Sequence, residues 1–172
     1  TTISTLTCMD KALAVASTRD NFGMEFSPVL AFADTNYGLL PATFGIVGAN
    51  YGAYMGFLTA IASENYGLSL SGIANIAYRN YGAQLGIANR VVAENRGLQL
   101  GVYNHAAPEA PNGIRAPFEE AYAEDPPAAD AKNFLQIGIF NCNEFNGPSL
   151  QIGLLNYDAA ARFPWMPFCN WK

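Results

Sequence analysis

The sequence predicts an all-β fold, a β-solenoid of coils about 15 residues long with one long surface insertion. Three observations carry this expectation. A short motif recurs: GLQLGVYN at Gly97–Asn104, GAQLGIAN from Gly82, LQIGIFN from Leu135, LQIGLLN from Leu150 and a looser LSLSGIAN from Leu68. A turn triplet precedes most copies, as in Asn36-Tyr37-Gly38, Asn50-Tyr51-Gly52, Asn65-Tyr66-Gly67, Asn80-Tyr81-Gly82 and Asn95-Arg96-Gly97. Within a copy the apolar residues alternate, with Leu98, Leu100 and Val102 on one face and Gln99, Gly101 and Tyr103 on the other. A period of two marks a strand. The alternative is an antiparallel β-meander, in which the same corners become hairpin turns. Identity down the columns favours stacked coils, because only stacking places equivalent residues in register.

Along the chain, residues 1–20 match the repeat poorly and are expected to be an N-terminal cap, since an open solenoid end exposes core and unpaired backbone. Coils fill residues 21–104. From Asn21-Phe22-Gly23 onward the corner Asn returns at steps of 15, 14, 15, 15 and 15 residues, ending at Asn95. Asn and Gly suit such turns because both tolerate positive φ. A second corner Asn falls at Asn75, Asn89, Asn104, Asn141 and Asn156. Residues 105–132 break the period with Pro108, Pro111, Pro117, Pro126 and Pro127, and read as a surface insertion. Coils resume over 133–160. The segment 161–172, with Phe163-Pro164-Trp165-Met166-Pro167-Phe168, is expected to plug the last coil as a C-terminal cap. The whole chain, residues 1–172, forms one repeat domain.

Composition narrows the function. Hydrophobic residues make up 51% of the chain, and Lys occurs only at Lys11, Lys132 and Lys172. Nucleic acid is therefore not an expected partner, since phosphate binding needs clustered cations. The net charge is −5, and residues 105–132, with six acids against Arg115 and Lys132, account for −4 of it. The repeats are thus nearly neutral. No run approaches the roughly 18 apolar residues of a membrane helix, so no transmembrane segment is expected.

The copies GLQLGVYN, LQIGIFN and LQIGLLN, with the closing FPWMPFCNW, resemble a bacterial surface-repeat family of uncharacterised function. Its members carry GLQ-hydrophobic-G-hydrophobic-x-N repeats and often end in a Pro- and aromatic-rich segment. The resemblance is good over residues 80–172 and looser over 36–79. It implies an exported protein, at the cell surface or in the periplasm, and supplies no catalytic residue.

Several columns are candidate sites. Gln84, Gln99, Gln136 and Gln151 are expected to face away from the Leu column. Gly86, Gly101, Gly138 and Gly153 beside them would form a shallow trough, giving a binding face for a protein or polysaccharide surface or for a second copy. Tyr37, Tyr51, Tyr66 and Tyr81 form an aromatic ladder that could carry sugar rings. His105 and Cys142 follow equivalent corner Asn residues and would be neighbours on adjacent coils. A Cys–His pair can act as nucleophile and base, but no orienting third group or oxyanion donor is evident. The three Cys residues show no metal-ligand spacing. No catalytic residue, metal site or cofactor is therefore expected. The reading is a non-enzymatic structural or interaction module, with a carbohydrate-binding module as the alternative.

Overall fold

The computed structural model describes residues 10–11, 15–108 and 132–172. Its strands are β1 (Asp10–Lys11), β2 (Val15–Asn21), β3 (Glu25–Asn36), β4 (Leu39–Asn50), β5 (Ala53–Asn65), β6 (Leu68–Ser71), β7 (Ala74–Asn80), β8 (Ala83–Ala106), β9 (Asn133–Asn143), β10 (Ser149–Asp158) and β11 (Trp165–Trp171). The described residues contain no helix. Neighbours pair in parallel from β1 to β10, as in Asn36 with Asn50, Asn50 with Asn65 and Asn65 with Asn80. A meander would pair them antiparallel, so the fold is a β-solenoid, of about eight turns.

Each coil pairs through two segments joined at a corner. Over β5, the segment Ala53–Gly56 carries β6 and the segment Thr59–Asn65 carries β7. The register slips at the corner in several coils, for example between Ala42 and Phe44. Independently of such slips, the phase of burial changes within each coil at this corner: Gln99 and Asn104 are both buried although five residues apart, while Val102 and Tyr103 between them are exposed.

That change of phase inverts the expected interior. The inward column of the first segment is Glu25, Leu40, Tyr54, Ser69, Gln84, Gln99, Gln136 and Gln151, all buried. Leu100, Val102, Ile139, Ile152 and Leu154 point outward and are exposed. The inward column of the second segment is Ala33, Val47, Ala62, Ala77, Val91 and Ala106, followed by Asn143 and Asp158 in the last coils. The N-terminal coils enclose an apolar cluster that includes Ala31, Ala33, Leu40, Val47 and Tyr54. Gly45 leaves the space that the Tyr54 ring occupies, since a Cβ there would lie 2.6 Å from its Cζ.

The ends also depart from expectation. Residues 10–11 and 15–21 already stack on β3, with Asp10 beside Glu25 and Asn21 beside Asn36, so coil structure begins before residue 21. At the other end β11 runs antiparallel along β10, pairing Leu150 with Trp171 and Gln151 with Asn170. Trp165, Phe168 and Trp171 stay exposed, and Asn170 turns inward. The segment therefore covers the free backbone edge of β10 and does not plug the interior. His105 and Ala106 belong to β8 and pair with Cys142 and Asn143. The break in the repeat thus starts after them. The rest of the expected insertion, residues 109–131, lies outside the described residues, as do 1–9 and 12–14.

Candidate functional site

Three amide ladders run through the stack. At the first corner, Asn21 Nδ2 donates to Asn36 Oδ1 at 2.8 Å, Asn36 to Asn50 at 2.8 Å, Asn50 to Asn65 at 2.8 Å and Asn65 to Asn80 at 2.7 Å. The chain continues through Asn95 to Asn133. A second bond fixes each amide's orientation: Asn50 Nδ2 also donates to the Leu68 carbonyl, and Asn65 Nδ2 to that of Ala83, each at 3.2 Å. At the second corner the donors run in the same direction through Asn75, Asn89, Asn104, Asn141 and Asn156. The Gln ladder runs the opposite way, with Gln151 donating to Gln136 and Gln136 to Gln99, both at 2.8 Å. Stacked amides satisfy one another, which lets these polar side chains lie in the core.

The candidate face of Gln84, Gln99, Gln136 and Gln151 is therefore interior and can touch no partner. The glycines beside it face inward too. A Cβ on Gly101 would lie 2.6 Å from Asn89 Nδ2, and one on Gly138 2.6 Å from Asn104 Nδ2. Gly86 and Gly153 are held likewise against Asn75 and Asn141. The corner Asn side chains fill the space expected to be an outer trough. Crowding also explains the turn glycines: none among the described residues has positive φ. A Cβ on Gly67 would lie 2.7 Å from the Tyr51 carbonyl carbon.

The aromatic ladder is present. Phe22, Tyr37, Tyr51, Tyr66 and Tyr81 stack with centroids 4.8–5.2 Å apart and planes within 10°. Arg96 continues the column over Tyr81 at 5.9 Å. Each inner ring spends both faces on its neighbours and offers solvent its edge and hydroxyl. Burial against those neighbours, helped by a hydrogen bond to Glu64 at 3.0 Å, pushes the Tyr66 hydroxyl up to about 12.

Outside the first segment lies a surface that the sequence reading missed. Phe57, Ile73, Ile87, Val102, Ile139 and Leu154 are exposed at the corner end of successive coils, and beside them run Leu100, Ile137 and Ile152. Between these rows, around Met55, Leu70 and Leu85, is an open groove of about 490 Å³. The motif itself held the signal, because its apolar positions are the most regular in the repeat.

On the second segment His105 and Cys142 are paired neighbours, as their spacing predicts. Glu144 joins them from the same face of the chain, its Oε1 3.6 Å from His105 Nε2. The three ligand atoms lie within 4.8 Å of one another. Burial pushes the Cys142 thiol up to about 11, and Glu144 and Asp158 add to that effect. Burial also lowers the His105 pKa, against the pull of Glu144. These shifts favour the neutral thiol and neutral imidazole over a thiolate–imidazolium pair. Such a pair is poorly prepared for nucleophilic catalysis.

Comparisons with protein-family models, with curated proteins and with solved structures found no match to this chain.

Proposed function

We propose that the protein is a non-enzymatic interaction module of the bacterial cell surface, binding a polymer or protein across several coils. The exported setting follows from the repeat motif's resemblance to surface-repeat proteins. The observation that supports binding is the outward apolar face, in which Ile87, Val102, Ile139 and Leu154 recur coil after coil with little charge among them. Contiguous exposed apolar surface marks interaction sites, because covering it releases water at little electrostatic cost. The binding face thus moves from the buried Gln and Gly columns to the Leu and Ile columns between them.

Co-sedimentation of the purified protein with bacterial envelope preparations tests this reading. Ile87→Asp, Val102→Asp and Ile139→Asp should each weaken retention, and the triple variant should abolish it. Undiminished retention of the folded triple variant would place the contact elsewhere.

A carbohydrate-binding role is a second reading. The row of exposed Tyr37, Tyr51 and Tyr66 at coil spacing favours it. Because the ring faces are occupied, a glycan would meet edges and hydroxyls. Glycan-array binding lost in Tyr51→Phe and kept in Val102→Asp would select this reading over the first.

A further inference from the structure

We propose that His105, Cys142 and Glu144 form a binding site for a divalent cation of the zinc class, bridging the coils of β8 and β9. His105 and Cys142 come from neighbouring strands, and Glu144 from the residue just after β9. Parallel register places His105 beside Cys142, and Glu144 follows Cys142 by two residues, a spacing that returns to the same face. Between them Asn143 points inward and is buried, held by Asp158 through a 2.9 Å bond. That anchor, with the Glu144 N–H donating to the Ala106 carbonyl at 2.7 Å, fixes the backbone that carries both flanking ligands.

The donor set is one nitrogen, one sulfur and one carboxylate oxygen. This mixture suits zinc, which takes bonds of about 2.0–2.3 Å and tetrahedral order. Tetrahedral bonds of that length hold ligand atoms about 3.3–3.8 Å apart. The His105–Glu144 separation of 3.6 Å already meets this. The remaining spacings, all within 4.8 Å, need only side-chain rotations to reach bonding geometry. The imidazole of His105 would bind through a ring-nitrogen lone pair, as neutral histidine ligands do. Cys142 would lose its proton on binding, as thiol ligands do. With thiolate and carboxylate the cation's charge is balanced, against the unfavourable field of Arg90. A fourth position stays open to water.

The location suggests a purpose. Asn104 and Asn141 are bonded neighbours, yet 37 residues separate them along the chain. A cation held by β8 and β9 would staple the two coils between which the chain makes its longest excursion. The His105–Cys142 adjacency was legible in the sequence, but Glu144 was not, because it lies outside the repeat columns.

The test uses the full chain carrying Cys8→Ser and Cys169→Ser, so that Cys142 is the sole thiol. The protein is reduced, stripped with chelator and titrated with Co2+, then with Zn2+ against a chromophoric indicator. The expected result is one equivalent of Co2+ with a thiolate charge-transfer band that Zn2+ displaces. Cys142→Ser should abolish the band. His105→Ala and Glu144→Gln should each weaken Zn2+ binding by about tenfold or more, and Zn2+ should raise the unfolding midpoint only when all three ligands are present. All three side chains face outward, and circular dichroism verifies that each variant is folded. No charge-transfer band in the parent, or Zn2+ affinity unchanged in folded Cys142→Ser, would overturn the site.

Discussion

Asn65 shows how a single residue holds this architecture. It accepts from Asn50, donates to Asn80 and donates again to the Ala83 carbonyl, with no exposure to solvent. Asn65→Ala leaves a donor on one side and an acceptor on the other unpaired in the core. At about 1–3 kcal/mol for each unsatisfied buried group, the loss should be about 2–6 kcal/mol. The urea midpoint reports it, and an unchanged midpoint would mean that water repairs the gap. Gly101→Val should be at least as damaging, because its side chain would have to displace Asn89. It would act through the fold, before any binding is measured. Tyr54 supplies a pH signature. Its ring is fully buried, burial raises its hydroxyl pKa above the usual tyrosine range, and the Ile61 N–H donates to its oxygen at 3.2 Å. A raised folded pKa gives stability that is fully present below about pH 10, the unfolded value, and is lost as pH climbs beyond it. Alkaline unfolding of Tyr54→Phe should therefore begin at higher pH relative to its own neutral stability. A parallel alkaline limb in both proteins would refute this.

At the scale of the element, the Tyr ladder behaves as a stabilising seam. Tyr51 lies between Tyr37 at 5.2 Å and Tyr66 at 4.8 Å, so Tyr51→Ala removes two ring pairs at once. With about 0.5–1.5 kcal/mol for each pair, the loss should be about 1–3 kcal/mol. Denaturant unfolding measures it, and Tyr51→Phe should keep most of the stability. Both the Tyr and the Asn ladders were legible in the sequence, because a residue repeated at the coil period must stack on its own copies. The direction in which Gln99 and Leu100 point was not. Alternation ties those two to opposite faces without saying which face is inside. Hydrophobicity suggested Leu inward, while the corner between Gly101 and Asn104 adds the residue that turns Gln99 in beside the Asn amides. Glycine was misleading in a related way: its place at the turns suggested backbone freedom, but its role is to let one coil approach the next.

For the whole molecule, about eight turns at the strand spacing give a stack on the order of 40 Å. Small-angle scattering should show an anisometric particle, and circular dichroism should be dominated by strand. A compact sphere with substantial helix would contradict the solenoid. Parallel stacking also predicts how the molecule tolerates change in length. Asn95 Nδ2 meets Asn133 Oδ1 at 2.8 Å, the same distance as between Asn50 and Asn65, although 38 residues intervene instead of 15. Replacing residues 108–131 with a short turn should leave the stack folded, with a thermal midpoint near that of the parent. A large loss of stability would show that the segment contributes to the stack.

The opposed amide ladders carry a consequence of their own. Each row of stacked amides is a line of aligned dipoles, and the two Asn rows point one way while the Gln row points the other. The Gln row exists only from Gln84 onward, where the apolar filling of Leu40 and Tyr54 has given way to amides. The second Asn row likewise begins only at Asn75, so the N-terminal coils carry one unopposed row of amides and the later coils carry Asn rows opposed by the Gln row. A rod of nearly neutral repeats would thus have electrically unequal ends, and in an oriented field, or beside a charged surface, it would have a preferred way to stand.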